Sequence, residues 1–181
     1  MKRILFITFL MAGLLLSANS VFAQKMPGVD KSPADISYYR TERGAAPSVK
    51  VVYSRPMKKD REVFGGIVPF GETWRTGANE ATEIKFYQDV TFGGVDVKAG
   101  TYTLFTIPGK EEWGVMLNSE LDQWGAYRMD ADKTVARTTA AVSMGDESVE
   151  AFTIAFKTVD GGAHMILAWD KTRVEVPIMM N

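Results

Sequence analysis

Cysteine is absent from the chain and histidine occurs once, as His164. Those two shortages exclude disulfide frameworks, thiolate nucleophiles, cysteine- or histidine-rich zinc sites and three-histidine metal centres. A Ser-His-Asp triad would have to use His164, which alternates with Ile166 and Ala168 and reads as a structural histidine on a strand. The GxSxG, P-loop and GxGxxG signatures are missing, and with them the usual hydrolase, nucleotide and dinucleotide sites. Asp122, Asp130 and Asp132 share one loop but lack the glycine and closing glutamate of an EF-hand. No metal and no cofactor is expected. An excess of one charge is lacking too. With 21 Lys+Arg against 22 Asp+Glu there is no basic stripe to neutralise phosphates, so nucleic acid is not an expected partner.

Long hydrophobic runs are scarce. The clearest, Ile4 to Leu16, falls short of the roughly 20 residues that span a bilayer. Lys2 and Arg3 precede it, Ser17, Asn19 and Ser20 follow, and Val21-Phe22-Ala23 supplies a small-residue cleavage site. Residues 1–23 therefore read as a signal peptide cleaved after Ala23, giving an exported chain, in the periplasm or outside the cell, that begins at Gln24. No cysteine follows the run to carry a lipid, so the mature form is expected to have no membrane span.

Residues 24–47 hold Pro27, Pro33, Pro47, Gly28 and Gly44 and read as an extended leader, with Ile36, Tyr38 and Tyr39 available to dock on the domain. Residues 48–181 form the domain. Short β-branched and aromatic runs recur there between turn signals, the pattern of an all-β protein. Glu83–Tyr87, Val90–Phe92, Val95–Val97, Thr101–Ile107 and Trp113–Leu117 are expected strands, and Gly93-Gly94 supplies the positive φ angles of a primed hairpin turn. Ala151–Val159, Ala163–Trp169 and Arg173–Ile178 alternate with period two as three strands of a meander, with Pro177 marking an edge or strand end. Crossover helices have no room, so the expected architecture is an antiparallel β-sandwich or jelly-roll-like domain, with a small β-barrel as the alternative.

Ser54–Thr82 and Asn118–Thr134 break the rhythm and read as long loops, the second with a short helix near Asp130–Val135. The first contains Trp74-Arg75-Thr76-Gly77-Ala78-Asn79-Glu80-Ala81-Thr82. That motif, with Tyr53-Ser54-Arg55-Pro56, Ala99 to Gly109 and Gln123-Trp124-Gly125, resembles the uncharacterised domain-of-unknown-function family 2911, typically exported from Bacteroidetes-type bacteria. The resemblance spans most of the mature chain and implies kinship without implying a reaction.

Read chemically, the motif offers a planar donor fork, an amide and a carboxylate beside a flat indole. Arg55, Trp74, Arg75, Thr76, Asn79, Glu80 and Trp124 are the candidate residues for a small polar ligand or glycan. The same groups could instead serve the loop itself: Arg75 pairing with Glu80, Asn79 capping a turn, Trp74 packing beneath. Two further functions remain open. One is a carboxylate hydrolase using Glu80 with Asp122 or Glu72. The other is an envelope scaffold. Trp113 and Trp169 lie in expected strands and read as core.

Overall fold

The computed structural model describes residues 25–181, so the expected signal peptide lies outside the described residues. Nine strands form one antiparallel sheet: β1 (Ala34–Tyr39), β2 (Val49–Ser54), β3 (Glu83–Phe86), β4 (Val90–Phe92), β5 (Val95–Val97), β6 (Gly100–Ile107), β7 (Glu112–Asn118), β8 (Thr134–Val159) and β9 (Gly162–Met180). Their order across the sheet is β1-β2-β3-β6-β7-β8-β9-β4-β5. The ends of that order, β1 and β5, do not pair with each other, so the sheet is folded over and not closed into a barrel.

The fold-over is made by β8. Residues up to Ala141 pair with β7, whereas Val142 to Val159 pair with β9. Register shifts between Met144 and Thr153 bend the strand where it passes from one layer to the other, as bulges do. Two tyrosines fasten the layers: the Tyr39 hydroxyl of β1 donates to the Gly162 carbonyl at 2.8 Å, and the Tyr53 hydroxyl of β2 accepts from the Ile154 N–H at 3.1 Å.

Alternation puts Val49, Val51 and Tyr53 of β2 inward, facing Phe152, Ile154 and Trp169 of the other layer. In β9 the inward set changes parity, from Met165, Leu167 and Trp169 to Val174, Val176 and Ile178. Asp170 explains how one strand carries both. Its left-handed φ of 50° shifts the pleat phase, so the two expected strands are one. The Gly93-Gly94 turn has φ values of 55° and 88°, as its primed geometry requires. Opposite it, Pro177 has no N–H to offer the Gly93 carbonyl, and the Thr138 hydroxyl donates there instead at 2.8 Å.

The segment expected as a leader supplies β1, with Tyr39 buried and Ile36 and Tyr38 exposed on its outer face. The short helix expected near Asp130 is a 3₁₀ turn at Ala131–Lys133, capped by the Asp130 carboxylate. Among the described residues no helix is long and apolar enough to cross a membrane.

Candidate functional site

The loop from Trp74 to Thr82 begins in the lane beside β6 that β3 leaves empty. Trp74 and Thr106 exchange both backbone hydrogen bonds, at 2.7 and 3.0 Å. The chain then turns out and returns, and the Leu104 N–H donates to the Thr82 carbonyl as β3 takes up the same lane. Thr76 at the turn is fully buried with a φ of 55°. A β-branched residue in that region costs on the order of 1–2 kcal/mol and persists only where its surroundings hold it. Here the Thr106 hydroxyl lies 3.1 Å from its own hydroxyl, and the Thr82 hydroxyl donates to its carbonyl at 2.7 Å.

The second long loop docks on the first through backbone bonds. Ala81 N–H donates to the Gln123 carbonyl at 2.8 Å, and Gly125 N–H to the Asn79 carbonyl at 3.1 Å. Gly125 has a φ of 77°, and a Cβ there would stand 2.7 Å from the Tyr127 ring and 3.3 Å from an Arg75 nitrogen. Only glycine lets both side chains close over it. Of the six non-glycine residues with positive φ among those described, Thr76, Asn79 and Asp122 lie in the Trp74–Thr82 segment and the second loop that docks on it.

Above this junction the Arg75 guanidinium carbon sits 5.6 Å from the centre of the Trp124 ring. Trp124 is 63% exposed and Tyr127 80%, and their rings are inclined by only 22° with centroids 6.0 Å apart. With Leu121, Asp122 and Arg128 they line an open cleft of about 810 Å³. A smaller cleft of about 270 Å³ adjoins Asp122 and also takes in the carboxylates Glu80 and Glu83. The Asp122 N–H donates to a Glu83 carboxylate oxygen at 3.0 Å.

The candidates read from the sequence thus separate. Arg75, Asn79, Glu80 and Trp124 come together at the junction, with Thr76 beneath them. Trp74 turns inward: its ring stacks 6.0 Å from Trp169 and lies 5.0 Å from Phe152, and its N–H donates to the Gly77 carbonyl. Arg55 is held elsewhere by Asp35, the Phe152 carbonyl and Thr153. Arg75 makes no ion pair with Glu80, which is exposed. The Asn79 amide donates to the Asp30 carboxylate at 3.1 Å. The Ser32 N–H and then that amide hold the Asp30 carboxyl below its ordinary range. His164 pairs with Glu175 at 2.9 Å and lines neither cleft. Tyr127 and Leu121 went unread in the sequence, although an aromatic three residues after Trp124 across a glycine is a signal that could have raised the first.

No curated protein and no solved structure matches the chain. A family model described as a protein of unknown function, DUF2911, matches residues 32–178. That match covers most of the chain, which accordingly belongs to this family of proteins of unknown function.

Proposed function

We propose that the protein is an exported β-domain that binds a small polyhydroxylated ligand, of the glycan class, where its two long loops meet. The observation that carries this reading is the exposed, near-parallel pair Trp124 and Tyr127 beside Arg75 and Asp122. A sugar ring has an apolar C–H face and a rim of hydroxyls. The aromatic faces take the first, and a guanidinium, an amide and carboxylates take the second. Exposed aromatic surface of this kind, gathered on ordered backbone, marks interaction sites. The positive-φ residues around it support the same reading, since strain of this sort gathers at ligand clamps.

Thermal-shift measurements with a panel of mono- and oligosaccharides test it. A binder at 100 times its Kd stabilises the fold by about 2.7 kcal/mol, and Trp124→Ala and Tyr127→Ala abolish the shift. Uniform failure of the panel rejects the reading. An Arg75→Ala variant that loses stability while binding is unchanged would assign the motif to scaffolding.

A hydrolytic form of this reading rests on Glu80 and Asp122, which share the smaller cleft. Release of reducing ends from a bound oligosaccharide, lost in both Glu80→Gln and Asp122→Asn, distinguishes hydrolysis from binding alone. Export is tested by N-terminal sequencing of the secreted chain, which on this reading begins at Gln24.

A further inference from the structure

The aromatic core contains three tryptophans, and two of them have their indole N–H groups satisfied. Trp74 donates to the Gly77 carbonyl at 3.0 Å and Trp169 to the Glu150 carbonyl at 3.1 Å. Trp113 does not. It is 1% exposed, its rings lie 4.7 Å from Phe64, and its N–H has no partner. A buried donor without an acceptor is rare enough in folded proteins to need a cause.

Trp113 also lines a surface cleft of about 360 Å³, at the low end of the range for small-molecule sites. Phe64, Phe70 and Val142 give that cleft apolar walls. The Phe70 ring seats against Gly65, whose missing Cβ would stand 2.8 Å from it, and the Lys110 ammonium lies 5.9 Å over the same ring. Lys110 makes no ion pair among the described residues. Two acids, Glu62 and Asp170, also reach the cleft, and Asp170 is already neutralised by Lys58 at 2.7 Å. Phe70 and Lys110 are both exposed, and side chains of that kind change rotamer in nanoseconds, so this part of the cleft wall can move to admit a ligand.

We infer that this cleft is a second ligand site, for a small aromatic carboxylic acid whose ring packs among Phe64, Phe70 and Val142 while its carboxylate accepts from Trp113 Nε1 and pairs with Lys110. Apolar walls with one unpartnered donor and one unpaired cation fit that chemistry and no sugar. The site is independent of the loop junction, since no residue lines both.

The test is an NMR titration of ¹⁵N-labelled protein, in which the four tryptophans give four indole cross-peaks. The probes are benzoate, phenylacetate and indole-3-acetate. Saturable downfield movement of the assigned Trp113 proton, with Kd rising about threefold in Lys110→Ala, the scale of one exposed ion pair, is the expected result. Lys110 is a surface residue, so that variant folds. A Trp113 peak that stays still with every probe overturns the inference, as does movement of the Trp124 peak alone, which would place the ligand on the loops. An unchanged Kd in Lys110→Ala overturns it as well.

Discussion

Arg75 and Trp124 belong to loops nearly fifty residues apart in sequence, yet the guanidinium carbon of the first lies 5.6 Å from the ring centre of the second. A cation over an indole at an exposed site contributes about 0.5–1 kcal/mol. Arg75→Ala is expected to lower stability by that amount and no more. Chemical denaturation measures it, and the blue–red position of Trp124 fluorescence reports whether the ring has been freed.

Phe152 is fully buried and touches Tyr53, Trp74 and Trp169. Phe152→Ala removes the floor on which Trp74 rests and is expected to cost roughly 3–5 kcal/mol. A denaturation midpoint that moves by less than a third of this would show that the aromatic cluster refills the gap.

Lys59 sits at φ 49°, a region that favours glycine, and its side chain is exposed. Its backbone N–H donates to the Glu150 carboxylate at 2.9 Å, a bond that glycine keeps. Lys59→Gly is therefore expected to raise stability, by about 0.5–1 kcal/mol. Thermal unfolding of the pair of proteins decides the sign.

Hydrogen bonds from Lys58 and then Ser148 hold the Asp170 carboxyl below its ordinary value of 3.8. The Lys98 side chain and then the Ala99 N–H do the same for Asp89. Each depressed group stabilises the fold while ionised. That contribution is complete above the unfolded value and is lost as pH falls below about 3.8 through the folded values. Unfolding free energies measured between pH 6 and pH 2.5 are expected to fall in this window, with a shallower slope in Asp170→Asn.

The sequence pattern was readable wherever alternation met large side chains. Phe152, Ile154 and Phe156 announced the second half of β8, and Gly93-Gly94 announced the hairpin of β4 and β5. The first half of β8 stayed hidden because its inward positions include Ala136 and Ala140, too small to register as a hydrophobic face, and because polar residues fill the bulge after Met144. The division of Ala163–Trp169 from Arg173–Ile178 followed from their opposite parity. A single left-handed aspartate can absorb that change without ending a strand, and no composition rule reveals it.

At the site, the meeting of the two loops was legible as chemistry and not as geometry. Arg75 and Trp124 were named because their residue types suit recognition, but only the paired bonds of Asn79 with Gly125 and Ala81 with Gln123 make them neighbours. Arg55 and Trp74 carry the same chemical promise. Their surroundings consume it, one in an ion pair and backbone contacts, the other in packing.

The pairing of β4 with β9 has a consequence for how the molecule is made. Phe92 lies opposite Ile178, so a hairpin formed by residue 97 must wait for the far end of β9 before it gains a neighbour. A growing chain cannot seat this hairpin before β9 has been made, and contacts of such long sequence separation form slowly. Removing Ile178–Met180 should accordingly leave the β4–β5 hairpin without its partner strand and lower stability, whereas an equal loss ahead of β1 should leave the sheet able to form.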